Sequence, residues 1–373
     1  MRRILVLAGA IVVVDTMFFA ALTPLLPRYA EDFELSKAGA GLLQAAYPLG
    51  VLVGSIPSGY IAARFGVKPT AVFALLLVAS TSIAFGAAGS VVVLDLTRFV
   101  QGLGSACAWT AAFAWLVAVV PVERRGQSIG TVLGLAIAGA MFGPVLGLLA
   151  AVLGTAAVFG AVGVLALAIA GAALATDAPK AGARQPIARL ASALAERRIQ
   201  GGLWLIALPA LLFGTLTVLA PLRLDDLGVG AVGIGFVFLT ATLFEALLSP
   251  LMGGLADTRG RRYPIVIGLT ASAVATAILP WPQKALVVAV TTVLAAMAFG
   301  IFWAPAMSFL SDTADHIGLD VAWVFALANL AWAPGQALGA VGGGVLARAT
   351  SDAVPYLILS GCCLVTLVAV RRA

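Results

Sequence analysis

The sequence predicts an all-α membrane protein: twelve transmembrane helices in two pseudo-symmetric six-helix bundles. Three observations predict it. Hydrophobic residues make up 62% of the 373 and charged residues only 10%, where a soluble domain carries about 25% charged residues. A water-soluble chain of this length cannot hide so much apolar surface. The apolar residues fall into twelve runs parted by short polar breaks, and one bilayer crossing needs roughly 20 of them. Finally, a ten-residue stretch recurs 194 positions later, Gly59 to Lys68 against Gly253 to Arg262.

The same offset pairs Leu22 with Leu216, Thr23 with Thr217, Pro27 with Pro221, Asp32 with Asp226, Gly41 with Gly235 and Ser55 with Ser249. The shared residues include prolines and an acid, which chance likeness between two Ala/Leu-rich stretches does not readily produce. Two parallel halves usually enclose a central path, as in many secondary transporters. The division is 1–176, a cytoplasmic linker 177–200, and 201–373.

The runs lie at about 4–26, 37–62, 69–89, 91–120, 127–150, 155–176, 201–222, 231–256, 263–281, 285–310, 320–347 and 352–370. Spans are helices or a closed barrel. Barrel strands alternate polar and apolar residues over about ten positions; these runs are longer and apolar all round, so they are helices. Sixteen of the 22 basic residues fall on one side, in the tails, the even-numbered loops and the linker. Cytoplasmic loops favour Lys and Arg, so both termini are expected inside, in the cell membrane. The net charge of +6 then reflects topology and gives no reason to invoke nucleic acid.

The first run follows Met1-Arg2-Arg3 as a signal peptide would. It continues past Asp15 to Pro27, however, and has a counterpart before Pro221, so it is expected to stay as a span. Asp15 is a deep acid. By the helical rise it lies about 16 Å from Ile4, and Arg98 of the fourth run lies about 10 Å from Val91 on the opposite side. In a hydrocarbon layer roughly 30 Å thick the two are nearly level, and buried Arg needs a wet cavity or a partner. Asp15 is therefore either a titrating group tuned by Arg98 or a purely structural partner. The fourth run also carries Gln101.

The second and eighth runs each end in the repeated stretch. In the first copy Gly59, Arg64, Gly66 and Lys68 stand out; in the second, Gly253, Asp257, Gly260, Arg261 and Arg262. Glycines let helices approach closely and the basic residues fix the loop on the cytoplasmic side. Asp257, at a helix end, can sit on a neighbouring helix N-terminus or pair with nearby arginines. That makes a gating latch, or no more than a topogenic loop. Glu245 in the eighth run is the other deep acid, with no basic neighbour in sequence. It is either a proton carrier or a permanently neutral hydrogen-bonding group.

The fifth run carries Gly139, Gly143, Pro144 and Gly147, a smooth face with a lost backbone bond. The eleventh carries Pro334 and Gly335 in the matching place. Two broken helices at equivalent positions are expected to form the seam between the halves. The linker reads as flexible loop followed by a short basic amphipathic helix, Ile187 to Arg198, on the membrane surface. Amides rarely face hydrocarbon, so Gln44, Gln101 and Asn329 are candidates for cavity lining, with Phe19, Tyr47, Trp109, Trp303 and Trp332 as aromatic ones. An aromatic in a span is otherwise lipid-facing or core.

Other chemistry is thin. Cys107, Cys362 and Cys363 have no metal or disulfide-framework spacing. His316 is the single histidine and lies in a loop. No Gly-Lys-Ser or Gly-Lys-Thr occurs, and Gly102-Leu-Gly104 lacks the strand a dinucleotide fingerprint requires. No cofactor, metal or enzymatic activity is expected. Uphill movement would draw on an ion gradient or on the membrane potential.

These residues carry a resemblance to the major facilitator superfamily over nearly the whole chain. The repeat resembles its loop 2–3 motif Gly-x-x-x-Asp-x-x-Gly-x-Arg, complete at Asp257 but with Ala63 in the acid's place in the first half. Arg98 to Gly104 resembles the fourth-helix Arg-x-x-Gln-Gly motif. Gly139 to Gly147 resembles the fifth-helix motif of drug–proton antiporters, with Leu148 for the final Gly. Asp15 before Pro24 and Pro27 is similar to proton-coupled drug and amine antiporters. The resemblance implies a monomeric transporter exchanging protons for a small amphipathic compound by rocking of two halves. Asp15 and Glu245 would bind proton and cationic substrate. A proton symporter importing a sugar, organic acid or other metabolite is the near alternative, and a receptor or scaffold that moves nothing is the distant one.

Overall fold

The computed structural model describes residues 2–121, 124–178, 187–319 and 321–372; inside its helices the side chains of 63, 125–127, 187–190, 249, 250, 253, 257, 304, 315, 321, 322 and 325 lie outside the description. Among the described residues fifteen α-helices follow one another: α1 Arg2–Ala20, α2 Leu26–Asp32, α3 Lys37–Phe65, α4 Val67–Gly86, α5 Val91–Val119, α6 Arg125–Leu153, α7 Thr155–Leu174, α8 Ile187–Leu194, α9 Arg197–Asp226, α10 Ala231–Arg259, α11 Arg262–Ile278, α12 Ala285–Gly300, α13 Trp303–His316, α14 Val321–Ala349 and α15 Ala353–Arg372. Among the described residues, each of the twelve apolar runs is mostly helical. Among the described residues ten helical stretches are long and apolar enough to cross a membrane, and Arg262–Ile278 is a shorter apolar helix. No strand occurs among the described residues.

Two of the rods are interrupted. The first gives way after Ala20 to a single 3₁₀ turn, Thr23–Leu25, before α2. Pro24 and Pro27 remove two amide donors within one turn, which a helix does not tolerate in its interior. The tenth is interrupted between Gly300 and Trp303, just ahead of Pro305. By contrast, α6 and α14 run unbroken through Pro144 and Pro334. The expectation of two broken helices there is corrected: one lost backbone bond is absorbed within a packed 29-residue helix.

The repeat has a backbone signature. Gly66, between α3 and α4, has φ +91° and ψ 163°. Gly260, its counterpart between α10 and α11, has φ +82° and ψ 151°. Residues with a Cβ avoid this region, so both copies turn on the same glycine-only conformation.

The chain divides into two compact units. The first comprises Met1–Leu22 and Ala46–Gln185, the second Thr23–Ala45 and Pro186–Ala373. The 23–45 segment, on the first side of the division read from sequence, thus packs with the second unit. The reason lies in two glycines: a Cβ on Gly41 would strike the Ala340 backbone, and one on Gly344 the carbonyl of Lys37. The amphipathic helix of the linker is also shorter than expected. It ends at Leu194, and Arg197 and Arg198 begin α9; residues 179–186 lie outside the described residues.

In the first unit, Phe18, Phe85 and Phe159 form an aromatic core with ring centres 4.9–5.6 Å apart. Ser82 donates to the Phe159 carbonyl at 2.7 Å and Thr155 to that of Gly86 at 3.0 Å. Such hydroxyls join helices where no water competes. In the second unit, α14 lies on α9 along a glycine stripe. Thr215 donates to the Gly339 carbonyl at 2.9 Å, and Ser360 of α15 to that of Ala273 at 2.8 Å.

Candidate functional site

The best-defined polar site lies inside the first unit. Asp15 and Arg98 are both 0% exposed. Asp15 Oδ2 accepts from Tyr47 Oη at 3.0 Å, Ser105 Oγ at 2.6 Å and Trp109 Nε1 at 2.9 Å. Tyr47 Oη and Ser105 Oγ are themselves 2.6 Å apart, while Asp15 Oδ1 is buried with no hydrogen-bond partner. Three oxygens therefore form a triangle with three hydrogen-bond edges. Two hydroxyls supply two protons. A proton on Asp15 would fill the third edge.

Two helix crossings build this triangle. α5 presents Arg98, Gln101, Ser105 and Trp109 at i, i+3, i+7 and i+11, one face of a helix. α3 crosses it with backbone nearly touching backbone: a Cβ on Gly50 would meet the Phe99 carbonyl, and one on Gly102 that of Tyr47. The crossing sets Tyr47 beside Ser105. Aromatic rings border the carboxylate, with Phe19 against Tyr47 at 4.6 Å and Trp109 against Phe113 at 5.7 Å.

Arg98 does two things. Its Nη1 donates to Gln101 Oε1 at 2.7 Å and to the Phe18 carbonyl at 3.4 Å, and its Nη2 to the Phe19 carbonyl at 3.1 Å. It thus caps the end of α1 where the proline-rich turn removes amide donors, and a cation suits a helix C-terminus. Its guanidinium also stands 5.1 Å from the Tyr47 ring centre. Arg98 and Asp15, expected to meet directly, are joined through Tyr47.

In the second unit, Glu245 of α10 is half-buried and lies against Gly300, the last residue of α12. A Cβ there would come within 2.6 Å of Glu245 Cγ and 3.0 Å of Oε1. Glu245 therefore abuts the break in the tenth rod, as Asp15 sits shortly before the break in the first.

The sequence profile of the Major Facilitator Superfamily matches residues 8–333 and, again, 203–372. The chain belongs to the Major Facilitator Superfamily. It is accordingly a multi-pass membrane protein of a transporter family, and no enzyme. Its curated relatives include the multidrug resistance protein MdtL of Escherichia coli O157:H7, 31% identical over 122 residues, and that of Shewanella oneidensis, 32% identical over 124 residues; each match covers 33% of this chain and 31% of the relative. An MFS-type transporter of Schizosaccharomyces pombe, C18.02, uncharacterised, is 29% identical over 141 residues, 36% of this chain and 31% of its own. The chain thus matches about a third of the length of these relatives. Among solved structures, a bacterial homologue of the human lysosomal transporter Spinster, inward-facing and unoccupied, superposes with a TM-score of 0.78 at 16% identity, over 98% of this chain and 93% of that one. The xylose transporter XylE of E. coli, partially occluded and inward-open, gives 0.76 at 15% identity, over 98% and 97%. These two likenesses show the fold.

Within this superfamily member the remaining predicted residues fall as follows. Gln101 is fully buried and accepts from Arg98, which it positions. Gln44 is buried with Oε1 unpartnered. Trp303, Asn329 and Trp332 are half-buried on α13 and α14. In the repeated motif, Arg261 pairs with Asp312 of α13 and donates to the Ser308 carbonyl, and Arg262 donates to the Arg371 carbonyl of α15. Arg64 stays local, bonding Tyr60 at 3.1 Å; Gly59 and Lys68 are half-exposed. The side chains of Gly253 and Asp257 lie outside the described residues.

The small residues expected at the helix seam fall as follows. Gly139 and Gly143 take the backbones of Val13 and Ala20 of α1, and Gly335 and Gly339 those of Ala207 and Leu211 of α9. At these four glycines the close approach lies inside each unit, because the smooth face of each helix is filled by its own bundle's first helix. Pro144 and Gly147 are buried on the same helix, and Pro334 is half-buried. Sequence reasoning gave Ser105 no role, although its spacing from Arg98 and Gln101 was the available signal.

Proposed function

We propose that this chain is a proton-coupled exporter in the cell membrane, with cytoplasmic termini. It exchanges protons for small amphipathic or drug-like compounds by alternating access of the halves 1–176 and 201–373. The observation that carries this reading is the Asp15–Tyr47–Ser105 triangle, a buried seat for one proton with a carboxylate at its corner. A proton and an organic cation compete for that carboxylate. The faces of Trp109 and Tyr47 beside it suit a cation with an aromatic or aliphatic body. Glu245 is the second exchanging group, and Arg98 orients Tyr47 and the end of α1. The names of the MdtL relatives, matched over a third of this chain, support export of drug-like compounds.

The protein works as a monomer on the proton gradient alone. Proteoliposomes loaded at low internal pH and presented with a fluorescent aromatic cation such as ethidium test it. Exchange predicts uptake driven by outward proton flow, together with alkalinisation of the lumen. Uptake that needs protons moving with the solute means symport. If Asp15→Asn and Glu245→Gln both keep full pH-driven uptake, the coupling assignment is wrong.

A further inference from the structure

Two arginines of the second unit are set side by side by the register of the helices that carry them. Ser360 of α15 donates to the Ala273 carbonyl of α11 at 2.8 Å, and Arg262 of α11 donates to the Arg371 carbonyl of α15. The two contacts advance in opposite senses along the chain, so the helices run antiparallel. Arg262 stands eleven residues before Ala273, and Arg371 eleven residues after Ser360. Eleven residues make about three turns and return a helix nearly to the same face. Equal steps from one tie therefore bring both arginines to one level, on the line where α11 and α15 meet. Arg372 follows directly.

No acid answers these charges. Arg262, Arg371 and Arg372 are exposed and make no ion pair among the described residues. Arg261, next to them, is paired with Asp312. A topogenic bias needs only a number of basic residues at one end of the bundle; it gives no reason to pin two of them together against their own repulsion. The surface beside them is apolar. Val365 and Val368 precede Arg372 by seven and four residues on one helix face, and they are 72% and 48% exposed. Tyr263 adjoins Arg262 and is also exposed, and such rings gather at the boundary between headgroups and hydrocarbon.

We infer that this corner of α11 and α15 binds an anionic phospholipid, its phosphate among the guanidinium groups of Arg262, Arg371 and Arg372 and an acyl chain along Val368 and Val365. Guanidinium groups hold phosphate oxygens in paired, charge-assisted hydrogen bonds, and basic pockets at the ends of spanning helices take such headgroups. The lipid neutralises the corner and ties the end of α15 to the start of α11. It does so whether or not the chain couples protons.

The test uses the purified full chain in a neutral detergent at fixed ionic strength, with phosphatidylglycerol, phosphatidylcholine or sodium phosphate added. Phosphatidylglycerol should raise the thermal midpoint by a few degrees, saturably, over phosphatidylcholine, and native mass spectrometry should find it retained on the protein. Arg371→Gln combined with Arg372→Gln should abolish both signals. Arg348→Gln, which removes an exposed cation at the far end of α14, should leave both intact. Equal midpoints in the two lipids overturn the proposal. The same rise with sodium phosphate alone overturns it in favour of a free anion, and a phosphatidylglycerol rise kept in the double variant overturns it in favour of binding elsewhere. Should the double variant fail to fold, Arg372→Gln alone should raise the half-saturating lipid concentration at least about threefold; an unchanged value overturns the assignment.

Discussion

The guanidinium of Arg98 stands 5.1 Å from the centre of the Tyr47 ring, and Tyr47 passes its hydroxyl to Asp15 at 3.0 Å. One side chain therefore holds both ends of a mechanical link. With its nitrogens it caps the broken end of α1, and with its face it positions the residue that bonds the α1 carboxylate. A change in the charge of Asp15 reaches the helix break through two contacts, both inside the first unit. On the proposed reading, these contacts would link protonation of Asp15 to the end of α1.

Replacing Asp15 by Asn keeps the volume and the ability to accept from Ser105 and Trp109, but the amide cannot take up a proton. Proton-driven exchange should fall by more than about tenfold, while downhill counterflow persists at saturating solute with a raised half-saturation concentration, because the cation loses its carboxylate partner. Measured side by side in proteoliposomes, loss of both would mark Asp15 as part of the solute site alone.

Arg98→Ala should be the most destabilising single change in the first unit. It takes from Gln101 Oε1 its Arg98 donor in a dry interior, at about 1–3 kcal/mol, and removes one donor each from the carbonyls of Phe18 and Phe19, of which that of Phe18 keeps the Ala21 N–H at 3.3 Å. Thermal unfolding in detergent should begin more than about 5 °C lower. Arg98→Lys keeps the charge but loses the planar fork, so it should recover only part of that loss. An unchanged midpoint in Arg98→Ala would remove the capping role.

The fold was legible because lipid leaves the chain few choices. Twelve apolar runs must close their own backbone bonds, and a repeat at fixed offset must build two like bundles. The site was half legible. Asp15, Arg98 and Glu245 announce themselves as charges in hydrocarbon, and the spacing of Ser105 and Trp109 from Arg98 puts all three on one helix face. What the sequence withheld was apposition. That α3 meets α5 at Gly50 and Gly102, or that Gly143 faces α1, depends on which of several smooth faces pairs with which. A small-residue stripe looks the same whether it meets its own bundle or another. The 23–45 segment shows this, since its glycine fits the backbone of α14.

Gly300→Ala tests Glu245 without touching its charge. The added methyl would come within 2.6 Å of Glu245 Cγ, and a long flexible side chain can swing away. Stability should change by less than about 1 kcal/mol, whereas the pH dependence of exchange should alter. Gly134→Ala is the control: nothing lies within 4 Å of its new methyl, and it should stabilise by about 0.5–1 kcal/mol with an unchanged pH profile. An identical profile in both variants would separate Glu245 from coupling.

The motif glycines Gly66 and Gly260 offer a test of the repeat itself. Both stand at positive φ, with ψ of 163° and 151°, a conformation essentially confined to glycine and costing about 1–3 kcal/mol for other residues. A methyl added at Gly66 would meet only Pro69 Cδ, at 3.9 Å, and one added at Gly260 would meet nothing within 4 Å. Any cost of Ala must therefore come from the backbone and not from a clash. Gly66→Ala and Gly260→Ala should lower the thermal midpoint by similar amounts, about 2–10 °C. Asn, which tolerates the left-handed helical region but not this more extended one, should rescue neither. Were Asn to restore both midpoints, the turns would be of the ordinary left-handed kind, and the shared glycine would owe its place to something other than this backbone geometry.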